Sequence, residues 1–217
     1  MSVVSPLEQF QLFHGLPPEV MRKWGARFSV RRFAKRQNVA FPPDCPDAIY
    51  FVRSGRVKIS YFSEDGKEFT VALLGPGEIY SEHSLATATA LEDSEVLYTS
   101  MREFRSMLEE YPDLSLRLIR VLGQILRSTN DVILDLAFRE VSARLARILL
   151  NASRKGEGAE GPCSLYLTHE EMASLAGTTR QTVNEILKRW ERQGITSLHR
   201  GAITVLDSKE LINKLRE

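Results

Sequence analysis

The most regular hydrophobic pattern in the chain lies between Leu167 and Trp190. Apolar residues at i, i+3, i+4 and i+7 predict a helix with one buried face, formed by Val183, Ile186, Leu187 and Trp190. Thr168 and Glu171 have the spacing of a capping box that begins a preceding helix, and Gly177 is placed to end that helix in a tight turn. The pattern predicts a helix-turn-helix, although an amphipathic hairpin that serves only as core has the same periodicity.

The opposite side of the second predicted helix is polar, and either Thr178 or Thr179 can cap its start. The forked donors and acceptors of Arg, Gln and Asn match the edges of guanine and adenine in the major groove. We therefore predict that this face reads double-stranded DNA through Thr179, Arg180, Gln181, Asn184, Glu185 and Lys188. Two alternating segments follow in ITSLHRGAITVL, and they predict a β-hairpin wing beside the helix.

Short alternating runs between about Val30 and Thr99 are separated by Ser-Gly, Asp-Gly and Gly-Pro-Gly turns, which is typical of a β-roll or barrel. Residues 6–28 predict one or two short helices packed on it. Residues 101–110 predict another helix, and a much longer one begins after Pro112.

The long helix carries apolar positions at successive spacings of 4, 3, 4, 3 and 4 residues, which predicts a coiled-coil seam formed by Leu118, Leu122, Ile125, Thr129, Val132 and Leu136. We predict a parallel homodimer joined along this seam. The alternative is a helix that buries the same residues against its own β domain. Off the seam, we expect three further residues to cover that β domain, namely Ile119, Leu126 and Ile133.

A hinge is predicted near Ala137 and Phe138, followed by a further helix and the helix-turn-helix. The predicted fold class is therefore α+β with three parts. These are an N-terminal β-roll over residues 1–111, a dimerisation helix over 112–137, and a C-terminal winged helix-turn-helix over 138–217.

Composition adds few constraints to this organisation. The formal net charge of the 217 residues is +1, and residues 137–217 hold 13 basic against 10 acidic residues, a slight basic bias on the part that is predicted to bind DNA. Cys45 and Cys163 are too few for an iron–sulfur cluster held by four thiolates. No apolar run is long enough to span a membrane and no signal peptide is evident, so we expect a cytoplasmic protein. We find neither a nucleophile–base pairing nor a phosphate-binding loop in the sequence, so we do not expect an enzyme.

Four segments resemble the CRP/FNR family of bacterial transcription regulators, and the resemblance covers nearly the whole chain: YFVRSGRVKIS, GPGEIYSEHSLA, REVSARLARILL and GTTRQTVNEILK. It implies a homodimer that binds a palindromic operator and contacts RNA polymerase.

Cyclic-nucleotide readers of this family resemble one another in a Gly-Glu pair followed by an Arg that precedes Ser or Thr. Here Gly77 and Glu78 are present, but no Arg or Lys lies between Glu78 and Arg102. We therefore expect no cyclic nucleotide, since nothing in that stretch neutralises a phosphate, although Glu82 could still meet a ribose.

The stretch IYSEHSLATATALEDSEVLYTSMREF is similar, without gaps, to the haem-containing carbon monoxide sensors of this family. That resemblance implies haem b with His83 as one iron ligand and, after loss of Met1, the amino group of Ser2 as the other. It also implies a haem and gas pocket formed by Leu118, Leu122, Gly123 and Leu126.

Gly123 lies inside the long helix, where it costs about 1 kcal/mol relative to Ala, so we expect something to need that space. A haem or a close helix crossing between subunits would each use it. Nitric oxide sensing through the same haem and a haem-free regulator of a small organic effector remain alternatives.

Overall fold

The computed structural model describes residues 6–40, 47–81, 86–154, 163–199 and 202–215. They divide into two compact units, one within Met1–Asp65 and Val71–Thr129, the other within Gly66–Thr70 and Asn130–Glu217. The predicted three-part division, with limits at residues 111 and 137, stays a prediction, because the longest helix contributes residues to both units. Among the helices of the described ranges, none combines the length and the apolar character needed to cross a bilayer.

The N-terminal part begins with a 3-10 turn at Gln11–Phe13 and helix α1 at Pro18–Gly25. Seven strands follow: β1 (Ser29–Phe33), β2 (Ala48–Ser54), β3 (Val57–Phe62), β4 (Glu68–Leu74), β5 (Ile79–Ser81), β6 (Thr87–Ala90) and β7 (Ser94–Ser100). They form two sheets with the orders β1-β7-β2-β5 and β4-β3-β6. β7 is antiparallel to β1 and β2, as β3 is to β6. The predicted roll of short strands is confirmed.

Two apolar clusters fill this part. Tyr50, Val52 and Val57 pack with small alanines from β6 in one cluster. The other is rich in aromatic rings, and its Phe10 and Phe51 meet edge to face with centroids 5.2 Å apart. The second cluster joins the N-terminal turn and α1 to helix α2 (Met101–Glu110), so it closes one end of the roll.

Glu110 links α2 to α1 and to Arg27, two residues after α1, through three hydrogen bonds. Its carboxylate accepts from Lys23 Nζ at 2.7 Å, Arg27 Nη2 at 2.7 Å and Trp24 Nε1 at 3.2 Å. These donors lower the pKa of Glu110 to about 2, with the Lys23 bond having the largest effect and the Arg27 and Trp24 bonds following. The carboxylate of Glu110 is therefore ionised, and available to these three donors, at all but strongly acidic pH.

Helix α3 runs without a break over 26 residues, Asp113–Phe138, and helix α4 follows at Val141–Arg154. The predicted hinge lies two residues too early. The helical hydrogen-bond pattern continues from Arg139 N to Asp135 O at 3.0 Å, so Ala137 and Phe138 remain helical and the helix is interrupted at Arg139 and Glu140.

The C-terminal part contains strand β8 (Cys163–Leu165), helices α5 (His169–Ala176) and α6 (Arg180–Arg192), strands β9 (Thr196–His199) and β10 (Ala202–Val205), and helix α7 (Ser208–Lys214). The three strands form an antiparallel sheet in the order β8-β10-β9. The α+β class, the long helix and the winged helix-turn-helix are thus confirmed. β8 and α7 were not predicted, because three and seven residues are too short to show a clear period.

Candidate DNA interface and effector pocket

The turn between α5 and α6 is built from local signals. Thr168 Oγ1 accepts from Glu171 N at 3.1 Å, and Glu171 Oε2 accepts from Thr168 N at 2.7 Å, which completes the predicted capping box. Gly177 ends α5 in the left-handed conformation at φ 59° and ψ 48°. Of the two candidate caps for α6, the structure selects Thr179, whose Oγ1 accepts from Thr182 N at 3.2 Å.

Helix α6 has one buried and one polar face, as predicted. The residues of its apolar stripe are buried, each with at most 7% of its surface exposed: Val183, Ile186, Leu187 and Trp190. On the other face Asn184 is half-buried, and the remaining predicted DNA-reading residues are exposed: Thr179, Arg180, Gln181, Glu185 and Lys188. Gln181 Nε2 donates to Glu185 Oε1 at 3.0 Å, so these two side chains must separate before either can contact a base.

The charges of this face are uncompensated within the described ranges. Arg180 and Lys188 form neither ion pairs nor side-chain hydrogen bonds with described residues. Both lie close enough to His169, the first residue of α5, to act on its ionisation. Burial, followed by the charges of Arg180 and Lys188, lowers the pKa of His169 below its usual value. Basic side chains without ion pairs are expected on a surface that binds an anion.

A cluster of three arginines and one aspartate, here called the hinge clamp, holds the joint between α3 and α4. The carboxylate of Asp135 accepts from Arg139 Nε at 3.1 Å and from Arg147 Nε at 2.6 Å. Arg144 completes the cluster by donating to the carbonyl oxygens of Ala176, at the end of α5, and of Arg139, both at 2.8 Å. The clamp therefore fixes the end of α3 and the end of α5 on α4.

Burial raises the pKa of Asp135, while the charges of Arg147 and Arg139 oppose that shift. The desolvation of a buried ion pair cancels much of its attraction, so we expect the hinge clamp to add little to the free energy of unfolding. Its main effect is then to fix the position of α3 against α4.

The wing is the hairpin of β9 and β10. Leu198 N donates to Glu191 Oε1 at 3.0 Å, which ties the wing to the last turn of α6. His199 and Ser197 lie within hydrogen-bond distance of each other at 3.3 Å. The tip residues Arg200 and Gly201 lie outside the described residues.

The predicted haem ligands His83 and Ser2 lie outside the described residues, as does Met1. The predicted pocket residues on α3 are described. Leu118 is half-buried against the aromatic cluster, whereas Leu122 and Leu126 are 53% and 62% exposed. Apart from the chain neighbours and the backbone of the helix itself, no atom lies within 4 Å of the position that a Cβ on Gly123 would take. Three of the four predicted pocket residues thus share an uncovered apolar helix surface.

The dimer seam is placed on the same helix. Ile125 and Leu136 are 45% and 42% exposed, Thr129 is exposed, and Val132 is half-buried. The expectation that Ile119, Leu126 and Ile133 cover the β domain is wrong, since they are 63%, 62% and 57% exposed. The N-terminal turn, α1 and α2 already close that end of the roll, so α3 adds only residues of its first turns, such as Leu114.

The roll holds its cations at the surface. Arg32 and Arg53 share the carboxylate of Glu95, with distances of 2.9 and 2.7 Å, and Arg56 pairs with Glu92 at 3.2 Å. No lysine or arginine is among the buried residues of the described part. The remaining stretches of the roll, 1–5, 41–46 and 82–85, contain neither residue type.

Comparison with known proteins decides the family. A cyclic nucleotide-binding domain matches residues 30–111, and a Crp-like helix-turn-helix domain matches residues 143–214. The chain is 34% identical to the cyclic AMP receptor protein of Thermus thermophilus, over 91% of this chain and 93% of that protein. The chain belongs to the CRP/FNR family of transcription regulators.

This CRP/FNR regulator is also 31% identical to a CRP-like cAMP-activated global transcriptional regulator of Mycobacterium tuberculosis, over 94% of this chain and 96% of that protein. Among solved structures it is similar to a double mutant of CooA from Carboxydothermus hydrogenoformans. That match has a TM-score of 0.76 and 28% identity, and it covers 98% of this chain and 96% of the CooA chain.

Membership confirms the helix-turn-helix over the alternative of a purely structural hairpin, and it makes the regulator a DNA-binding protein of a family whose members are dimers. Among the described residues, no group of three or more His, Cys, Asp or Glu side chains could hold a metal ion. Sequence reasoning missed two features. One is His169, which stands beside the recognised capping box, and the other is the hinge clamp, of which only the i, i+4 spacing of Asp135 and Arg139 was visible.

Proposed function

We propose that this CRP/FNR regulator is a haem-based carbon monoxide sensor in which gas binding switches a homodimer to a DNA-binding state. The observation that carries the proposal is the apolar and cation-free character of the effector side. The described part of the roll holds no buried Lys or Arg, and Leu122 and Leu126 are exposed on α3. An apolar wall suits a porphyrin and a nonpolar diatomic gas better than it suits a cyclic phosphate.

Two features of α3 support a haem b. No atom outside the helix lies within 4 Å of the position that a Cβ on Gly123 would take, and the flanking leucines supply apolar surface. By resemblance to CooA, His83 and the amino group of Ser2 would bind the haem iron, and the iron would supply the binding position for a gas. Leu118, Leu122 and Leu126 would exclude water from that position.

On the DNA side, the operator is expected to be palindromic, with one helix α6 of each protomer in the major groove. RNA polymerase is the further partner that the family resemblance implies, and the cytoplasm is the compartment where these partners meet. Carbon monoxide can favour the DNA-binding state only by its difference in affinity for the two states of the dimer.

The test is the absorption spectrum of the full-length protein expressed with haem supply, with and without carbon monoxide. We expect a Soret band that shifts with the gas in the wild type and in the control His14→Ala, whose histidine is exposed at the end of the N-terminal turn. His83→Ala should lose the band or its carbonyl form. A colourless wild type, or an unchanged carbonyl spectrum in His83→Ala, would contradict the proposal and favour a small organic effector.

Gly123→Ala separates the two uses of the open position on α3. In the isolated chain the added methyl group meets no other part of the molecule, so helix propensity alone should stabilise α3 by about 1 kcal/mol. If the position accommodates haem, the variant should retain less haem at an unchanged oligomeric state. If it accommodates a partner helix, dimerisation should weaken instead.

A cyclic-nucleotide response is the second candidate, favoured by the domain match at residues 30–111 and by the relatives described as a cyclic AMP receptor and a cAMP-activated regulator. It requires a cation beside the phosphate, and no Lys or Arg is among the buried residues of the described part of the roll. Adding cAMP to haem-free protein distinguishes the two, because stimulated DNA binding would overturn the haem proposal. Repeating the spectra with nitric oxide distinguishes the two gases.

A further inference from the structure

One acidic residue lies in the middle of the polar face of α6. Glu185 is exposed and lies opposite the buried stripe that contains Ile186 and Trp190. Among the six residues predicted to read DNA it is the one acid, and the cations Arg180 and Lys188 belong to the same set. A helix that enters the major groove through this face brings the carboxylate of Glu185 to the edges of the bases.

The carboxylate of Glu185 is held by one exchangeable hydrogen bond. Its partner among the described residues is the side-chain amide of Gln181, whose Nε2 donates to Glu185 Oε1 at 3.0 Å. A hydrogen bond between exposed side chains one helical turn apart contributes little to the stability of a helix, so it is easily exchanged for a contact with DNA. An unpaired carboxylate beside the phosphates would be repelled, however. Glu185 therefore needs a new donor when Gln181 leaves it.

Cytosine is the base that offers such a donor without a competing acceptor. An ionised carboxylate can only accept hydrogen bonds. In the major groove guanine offers two acceptors and thymine one, and adenine has an acceptor beside its amino group, whereas cytosine offers its amino group alone. A cytosine can therefore replace Gln181 as the donor to Glu185, while guanine or thymine at the same place would repel the carboxylate.

We propose that Glu185 exchanges its hydrogen bond from Gln181 for one from a cytosine amino group when α6 enters the groove, so that each operator half-site requires cytosine at one base pair. The inference rests on the DNA-binding function of α6 and does not depend on which effector the roll binds. Glu185 selects by exclusion as well as by attraction, because an acceptor opposite the carboxylate is penalised. The exchange also frees the amide of Gln181 for a second base.

The first experiment selects operators from random duplexes with the full-length protein, once with haem-loaded protein under carbon monoxide and once with cAMP. The selected half-sites should share one C·G pair. Glu185→Ala should lose the preference for cytosine at that pair, and Glu185→Gln should shift it towards adenine, whose N6 and N7 match an amide. Glu170→Ala, which removes an exposed acid of α5 outside the predicted reading residues, is the matched control and should retain the preference.

The second experiment isolates the amino group in the selected operator. Replacing the cytosine by 5-methylcytosine keeps the amino group, whereas replacing the C·G pair by U·A puts a carbonyl oxygen in its place. For the wild type, the U·A operator should bind about tenfold more weakly per half-site, and 5-methylcytosine should lower the affinity far less. Glu185→Ala should bind the C·G and U·A operators with similar affinity, since its side chain neither accepts from the amino group nor repels the carbonyl.

The outcomes separate this inference from the function on which it rests. Selected half-sites without a shared cytosine, or an equal loss of affinity on the U·A operator in the wild type and Glu185→Ala, would overturn the proposal. If no duplex is enriched with either effector, the DNA-binding function of α6 is itself contradicted.

Discussion

Gly177 and Gly194 both adopt left-handed backbone, with φ of 59° and 73°, but their surroundings differ. A Cβ on Gly194 would meet no atom within 4 Å, whereas a Cβ on Gly177 would lie 2.9 Å from Leu136 Cδ2. We predict that Gly194→Ala lowers the free energy of unfolding by about 1 kcal/mol, the strain of the backbone alone. Gly177→Ala should lower it by about 1–2 kcal/mol, because Leu136 must also move.

Urea unfolding followed by circular dichroism measures both changes against the wild type. A neutral Gly177→Ala would show that the turn between α5 and α6 relaxes into another conformation. The comparison within one protein separates strain from packing, since both variants add the same methyl group.

Local signals explain why single residues of the helix-turn-helix could be predicted while others could not. The cap at Thr168 and the stripe that ends at Trp190 depend on residues three or four positions apart, and both are found as predicted. The pKa of His169 is lowered first by burial and then by the charges of Arg180 and Lys188, which belong to another helix. The spacing of these residues along the chain does not show that they are neighbours, because it is the turn at Gly177 that brings the two helices together.

Helix α3 shows the same limit for a whole element. Its existence follows from the apolar period, but two interleaved heptad patterns share Leu122, Thr129 and Leu136. The predicted seam combines these with Leu118, Ile125 and Val132, and it stays a prediction. The alternative pattern combines the shared residues with Ile119, Leu126 and Ile133, which are all exposed. In the predicted seam, Leu118 and Val132 are half-buried within their own chain.

We therefore predict that Ile119→Glu shifts the protein from dimer towards monomer, because the variant places a charge on the uncovered apolar surface of α3, where burying it in an interface is costly. Gln124→Glu, also exposed on α3 but on its polar side, is the control and should leave the dimer intact. Sedimentation equilibrium measures the change. If Ile119→Glu stayed dimeric while Ile125→Glu became monomeric, this prediction would be contradicted, and the seam predicted from the sequence through Ile125 would be favoured.

In the complete dimer, two copies of α6 act on one duplex. A twofold axis requires two inverted half-sites, and recognition helices of this type contact successive major grooves about 34 Å apart. We predict that footprinting on a selected operator shows two protected half-sites one helical turn apart. Ile119→Glu should lose most of this protection at the same protein concentration. Protection of a single half-site by the dimeric wild type would contradict the predicted arrangement.

The sequence predicts the architecture of the protein but not its effector. The roll, the long helix and the winged helix-turn-helix follow from many apolar positions, so a few exceptions do not change them. The effector depends on a few side chains, such as His83 and the missing cations of the roll interior. Relatives with the same architecture are described as responding to cAMP, so the effector has to be tested directly.

The uninterrupted run of α3 has a mechanical consequence. Its 26 residues form a rod about 39 Å long, with Leu114 embedded in one compact unit and Asp135 embedded in the other. A rod of this kind is stiff, so a small tilt or slide imposed on its first turns is carried to its last turn instead of being absorbed along the way. The interruption of the helix at Arg139 is then the first point at which such a displacement can change the orientation of the chain that follows.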